Sequence, residues 1–339
     1  VSSLDGSNRI IAAPEVVSPA APTRAIPVGG LRSRLRQARR VVQIAVIVLI
    51  AAGLTYTLWK MWPDIRAYPW RINGGYLLTG LALLLLRGPV ICFAWRAILR
   101  QMGYPLPVAT AIRVYFYSGL AKYLPGSLWY AVGRVLLAEG VGVPKMVTSV
   151  SIALETALVT VAAIAVGSGA LAVTIGGSPW WLVPVLAGLL LFLAWPQPWF
   201  RLLNGGLARI GRPAVPFAIS GRQLLTLLPL FLISWIAYGL ISFCLTAAVA
   251  PDLPWSALPA ITGVYTTTWI IGFLTLLVPN GWGVRETLLT GGLHTALALP
   301  VVVAAGAAIL SRLGSIFGEA AWAGVAWWLK PPAPPAPRP

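Results

Sequence analysis

Nine charged side chains stand inside apolar runs of this sequence. Six are cations, Arg87, Arg113, Lys122, Arg134, Arg285 and Arg312, and three are carboxylates, Glu155, Glu286 and Glu319. A charge at mid-bilayer costs a few kcal/mol even on the lenient insertion scale, so each must face protein, water or a partner. Six against three leaves an excess of positive charge that ion pairing alone cannot absorb, and an anionic ligand would absorb it. Within that set, Arg134 with Glu155 and Glu286 with Arg312 read equally well as structural staples. Lys122 and Arg113 fit side chains that snorkel towards headgroups. Arg87 is read as a ligand or pathway group, because the adjoining Gly88-Pro89 frees backbone groups and bends the helix. Glu319 reads either as a proton-coupled group or as a second partner of Arg312.

Two stretches put Pro, Gly and charge side by side in these apolar surroundings. They are Lys122-Tyr-Leu-Pro-Gly-Ser-Leu-Trp-Tyr-Ala-Val-Gly-Arg134 and Val278-Pro-Asn-Gly-Trp-Gly-Val-Arg285-Glu286. Inside a membrane such a combination breaks a helix, and broken backbone is tolerated where it lines a cavity. The tips Pro125, Gly126, Pro279, Asn280 and Gly281 are therefore candidate ligand-facing positions. Trp129 and Trp282 follow the tips and either line a groove or fill the packing. Other chemistry has little to work with. His294 is the only histidine, Cys92 and Cys244 lie in apolar runs, and the aspartates are Asp5, Asp64 and Asp252 alone. No metal site, cofactor or catalytic set is expected, and no Walker-type phosphate loop is present.

The elements that carry these residues must be membrane spans. Hydrophobic residues make up 58% of the 339 residues and charged ones 10%, with a mean hydropathy of +0.82; a soluble domain carries about a quarter charged residues. The sequence predicts an all-α polytopic domain over residues 41–329. A basic, disordered segment precedes it at 1–40 and a Pro-rich tail follows at 330–339. Spans are expected at 41–59, 74–98, 146–173, 180–195, 224–249 and 300–329. Residues 106–138 and 255–295 are each broken near the middle, and 201–222 forms a basic loop with an interfacial helix. The net charge of +17 sits mostly outside the spans. Arg32, Arg34, Arg36, Arg39 and Arg40 place the N-terminus in the cytoplasm and also suit anionic lipid. Arg96, Arg100, Arg201, Arg209, Arg212 and Arg222 mark further inside loops, and the unbasic loops near 175–179 and 251–254 are outside. Nucleic acid is not an expected partner.

On this topology each broken segment returns to the side it left. The chain then divides into two halves of one plan in opposite orientations, 41–173 and 180–329. Each half holds two spans, a re-entrant hairpin and one further span, about six spans and two hairpins in all. Eight ordinary spans are the simpler alternative.

At these residues the chain resembles the transmembrane flippase family named after lysylphosphatidylglycerol synthase. The resemblance rests on Arg113-Val-Tyr-Phe-Tyr-Ser-Gly-Leu-Ala-Lys-Tyr-Leu-Pro-Gly-Ser-Leu-Trp, Arg134 and Ser151-Ile-Ala-Leu-Glu155. In the second half it rests on Gly272-Phe-Leu-Thr-Leu-Leu-Val-Pro-Asn-Gly-Trp-Gly-Val-Arg-Glu286 and Ile309-Leu-Ser-Arg312. Asn280 stands where the family usually has glycine. The soluble aminoacyl-transferase domain of some relatives is not in this sequence, so translocation is expected rather than lysyl-lipid synthesis. The resemblance implies movement between leaflets of a lipid whose headgroup is polar and often phosphate-bearing. Relatives have been linked to aminoacylated phospholipids, polyprenyl-phosphate-linked sugars and hopanoids.

The expectation is thus a lipid flippase or scramblase of the inner (cytoplasmic) membrane, multi-pass, with both termini inside. Its partners would be an anionic-headgroup lipid and anionic lipids at the cytoplasmic face, with a homo-oligomer left open. Arg87, Arg134 and Arg285 would hold the phosphate, and Glu155, Glu286 and Glu319 would orient the cations. A membrane glycosyl- or acyl-transferase acting on a lipid-linked substrate is the alternative, as is a non-catalytic subunit of a lipid synthase.

Overall fold

A computed structural model of the chain describes residues 63, 66–123, 129–176, 180–209, 211, 214–215, 219–274 and 283–329. The expected first span at 41–59, the basic segment before it and the five tip residues lie outside that set. Among the described residues the regular structure is helical and no strand occurs. In chain order the helices are α1 (Gly74–Gln101), α2 (Val108–Leu120), α3 (Trp129–Glu139), α4 (Lys145–Ile175) and α5 (Leu182–Ala194). Then come α6 (Gln197–Arg209), α7 (Gly221–Ala247), α8 (Leu258–Leu274), α9 (Val284–Leu297) and α10 (Val301–Trp328). Short 3-10 turns follow α2 at Ala121–Tyr123 and precede α8 at Trp255–Ala257.

The starts of the long helices are written locally. The Asn73 side chain accepts from the Tyr76 amide at 3.2 Å and opens α1. Ser220 and Gln223 cap each other's amides at the start of α7, two of the donors that a helix end leaves over. Pro144 and Pro300 stand immediately before α4 and α10, where a residue without an N–H costs no helical bond. Helices α1, α4, α7 and α10 have 28, 31, 27 and 28 residues, about 40 Å each at ~1.5 Å per residue, enough for a hydrocarbon layer of about 30 Å.

With Trp255–Leu274, five helices among the described residues are long and apolar enough to cross a membrane, and six if α5 and α6 count as one bent span. Their outward faces are apolar: Leu86 is 67% exposed and Ile236 62%, surface that water would penalise and lipid would not. The chain is a multi-pass membrane protein.

The span expected at 180–195 is shorter than its apolar run. Helix α5 has 13 residues, about 20 Å, and turns by 58° into α6. Pro196 and Pro198 bracket the bend, and neither can continue an ordinary helical ladder. The basic loop beyond does hold a helix, α6, with Arg201 and Arg209 on it. Of the segment expected at 255–295 the structure describes α8 and α9, the expected break between them lies outside the described residues, and Trp255–Leu274 is itself long enough to span.

At the centre α1 and α7 run antiparallel. The Asn73 amide donates to the Ala248 carbonyl at 2.8 Å at one end, and the Gln101 amide reaches the Thr226 hydroxyl at 3.3 Å at the other. Between them Gly80 lets the Leu245 side chain close in; a Cβ there would stand 2.9 Å from it. Helix α8 packs antiparallel on α4, with Thr266 against Gly167 and Gly263 beside Ala170. Helix α10 packs antiparallel on α2, where Phe116 and Trp322 stack at 5.3 Å. Helices α2 and α3 pair with each other, as do α8 and α9; α3 lies on α4 and α9 on α10.

Candidate functional site

Helices α3 and α4 hold the most enclosed charges. Arg134 donates to Glu155, and their side chains are 4% and 10% exposed. The Tyr115 hydroxyl donates to the second Glu155 oxygen at 2.7 Å, and Arg134 Nε donates to Ser118 Oγ at 3.2 Å. The guanidinium also lies 4.1 Å from the Tyr115 ring centre and 5.1 Å from that of Trp95, near enough for cation–π attraction. Trp95 is fixed in turn by its indole N–H to Ser151 Oγ at 3.0 Å. This network ties α1, α2, α3 and α4 together and has little open surface. Arg134 and Glu155 thus pair, as one of the two readings of the sequence had them.

The second half holds its own pair. Glu286, in the first turn of α9, lies 3.7 Å from Arg312 Nε on α10 and accepts the Gly283 amide at 2.7 Å. A third pair was not foreseen. Lys122, in the turn after α2, donates to Glu319 on α10. Glu319 thus meets Lys122, and Lys122 is held at the protein rather than snorkelling freely. Arg113 donates to the terminal carbonyl of α10, that of Leu329, at 2.9 Å, the favourable place for a cation beside a helix C-terminus.

Arg87 and Arg285 are handled differently. The Arg87 Nε donates to the Ser234 carbonyl at 3.0 Å, and its guanidinium lies 4.8 Å from the centre of the Tyr238 ring. Arg285 donates to the hydroxyl of that same tyrosine. The Tyr238 ring is wedged edge-on between Trp235 and Tyr265, at 5.4 and 6.1 Å. The two guanidiniums are close enough to repel, and Glu319 is within electrostatic range of Arg87. The described carboxylates are all committed elsewhere: Glu139 to Lys145, Asp252 to Arg71, and Glu155, Glu286 and Glu319 as above. Among the described residues, then, neither Arg87 nor Arg285 has a carboxylate within ion-pair distance.

The carbonyl that Pro89 leaves over in α1, near Arg87, has a partner too. Pro89 lacks the amide that would reach the Leu85 carbonyl, and the Trp322 indole donates to that carbonyl at 2.8 Å. Gly88 makes the approach possible, since a Cβ would lie 2.6 Å from the indole nitrogen.

The cations and carboxylates singled out in the sequence therefore fall into three ion pairs, one helix-end contact at Arg113, and the pair on Tyr238. The tips Pro125, Gly126, Pro279, Asn280 and Gly281 lie outside the described residues. Tyr238, Ser234 and Tyr115 were not singled out. Ser234 and Tyr238 stand four apart on α7, hence on one face of a helix, and that polar pair in an apolar span was the available signal. Among the described residues no three His, Cys, Asp or Glu side chains gather. Two cavities lie away from the Tyr238 cluster. One, of about 140 Å³, is enclosed by α4, α5 and α6 and lined by Leu154, Phe192, Trp199 and Leu203. The other, of about 320 Å³, lies beyond α7 between Tyr68, Asp252 and Leu299. Comparison with protein-family models and with curated proteins finds no match to this chain.

Proposed function

We propose that this membrane protein moves a lipid with an anionic, phosphate-bearing headgroup between leaflets. The observation that carries the reading is the convergence of Arg87 and Arg285 on Tyr238 with, among the described residues, no carboxylate at ion-pair distance from either. Two like charges held together in an apolar span are unfavourable unless something of opposite sign joins them. A headgroup phosphate is such a group, and it suits guanidinium forks. Arg134, Arg312 and Lys122 have carboxylate partners, so their part is to hold the helices that frame the site.

The packing supports an inverted-repeat architecture. Exchanging α1, α2, α3 and α4 for α7, α8, α9 and α10 maps the neighbour relations among these helices onto themselves. The corresponding helices α1 and α7 run antiparallel, as the two halves of an inverted repeat would. Trp95 near the end of α1 meets Ser151 near the start of α4. The α2–α3 segment joining them therefore leaves and returns on one side, as a re-entrant hairpin would. Gly306 near the start of α10 lies against Trp70, before α1, which gives α8–α9 the same property on the opposite side. Inverted repeats meeting at a central site are a recurring transporter plan. The motifs of the lysylphosphatidylglycerol synthase flippase family fit the same reading.

The basic loops favour a cytoplasmic membrane with the Arg100 and Arg209 ends inside, where anionic lipids are the natural surface partners. The test is a reconstituted one. The full chain in liposomes should carry a tail-labelled fluorescent anionic phospholipid between leaflets, read by dithionite quenching from outside. Arg87→Gln and Arg285→Gln should slow it. No movement above protein-free liposomes would end the proposal.

A further inference from the structure

We infer that the headgroup taken at Tyr238 is doubly charged, a phosphate monoester or diphosphate, and not a singly charged phosphodiester. This rests on the lipid-moving reading above and narrows it. The argument is one of charge. Of the six cations in apolar runs, Arg134, Arg312 and Lys122 each meet one of the three carboxylates Glu155, Glu286 and Glu319. Arg113 serves the carbonyl end of α10. Among the described residues two charges are left without a carboxylate partner, and they are not scattered. Arg87 and Arg285 occupy the face and the hydroxyl of one phenol ring.

The surrounding charges do not alter the total. Glu319 lies within range of Arg87 but carries Lys122 with it, and Glu286, the residue after Arg285, carries Arg312. The cluster around Tyr238 therefore holds two net positive charges in an apolar setting. A phosphodiester brings one negative charge and leaves one cation uncompensated. A phosphate monoester brings close to two near pH 7 and offers three acceptor oxygens, and a diphosphate brings a comparable charge over a longer span. Tyr238 sets this preference by holding both guanidiniums on one ring, where an anion can meet both forks. An overall-neutral zwitterionic headgroup would meet the site with its own cation repelled.

The discriminating experiment uses the full chain in liposomes of neutral lipid. Tail-labelled phosphatidic acid, phosphatidylglycerol and phosphatidylcholine are compared by dithionite quenching, and uptake of inorganic phosphate is followed in parallel. Phosphatidic acid should move about tenfold faster than phosphatidylglycerol, corresponding to about 1.4 kcal/mol of differential binding, and phosphatidylcholine slowest. Arg285→Gln should close most of the gap by slowing phosphatidic acid more than phosphatidylglycerol. Tyr238→Phe, which keeps the ring and removes the hydroxyl, should narrow it, with melting in detergent showing that both variants fold. Equal rates for the monoester and the diester would overturn the inference while leaving lipid movement intact. No movement of any lipid would overturn the function itself. Phosphate uptake without lipid movement would assign the site to the free anion and overturn the lipid source.

Discussion

The indole of Trp322 on α10 donates to the carbonyl of Leu85 on α1 at 2.8 Å, the carbonyl that Pro89 leaves without its helical donor. The residues are 237 apart in sequence, so a gap in the bonding of one helix, written locally by its proline, is filled from the last one. Trp322→Phe keeps most of the ring but strands a part-buried acceptor, at a cost of about 1–3 kcal/mol. Melting in detergent should fall by several degrees. Gly88→Ala drives a Cβ into the same indole and should destabilise as well, and the two changes should be non-additive in a double-mutant cycle. An unchanged melting temperature for Trp322→Phe would remove the indole from this role.

Glu155 and Arg285 should respond to mutation in opposite ways. Glu155→Gln leaves Arg134 buried without its counter-charge, a loss of about 3–5 kcal/mol, and should show as low yield and early unfolding. Arg285→Gln removes one of two mutually repelling cations and should leave melting nearly unchanged while lipid movement slows. Similar destabilisation by both would mean that Arg285 is structural too.

Lys122 and Glu319 join the turn after α2 to α10. Both side chains are a little over a quarter exposed, 29% and 27%, so their coupling should be modest, about 1 kcal/mol. Lys122→Glu and Glu319→Lys should each impair folding or transport, and the double exchange should recover part of the loss. A double variant no better than the worse single one would argue against the pair.

Sidedness follows from the antiparallel centre. Gly103→Cys and Arg209→Cys should react with an impermeant thiol reagent from one side, the cytoplasmic one, and Asp252→Cys from the other. Arg71 lies 3.8 Å from Asp252, with both side chains exposed, so the label there meets little obstruction. Reaction of Asp252→Cys and Gly103→Cys from the same face would reject the arrangement.

The sequence carried the long spans because twenty-residue apolar runs bounded by arginines have few alternatives. It also suggested Arg134–Glu155 and Glu286–Arg312, because each joins neighbouring segments of the chain. Lys122–Glu319 and the meeting of Arg87, Arg285 and Tyr238 were not legible. They depend on how far each helix is rotated about its axis, and in a uniformly apolar helix no periodic pattern fixes that angle. Helix α8 is the clearest case, apolar on all sides and yet packed closely on α4. The shortness of α5 was overlooked for a related reason: apolar residues run on through Trp195, but Pro196 and Pro198 end the helix before the hydrophobicity ends.

The hydrogen bonds at the two ends of the α1–α7 pair have a mechanical consequence. A rod fixed at both tips to an antiparallel neighbour can neither slide nor splay without breaking one of them. Arg87 and Tyr238 sit between those fixings. In the transporter proposed above they would form the fulcrum, where a rotation of the outer segments, α2–α3 and α8–α9, produces the least displacement. A cargo gripped at Tyr238 would stay nearly still while the passage to one surface closed and the passage to the other opened.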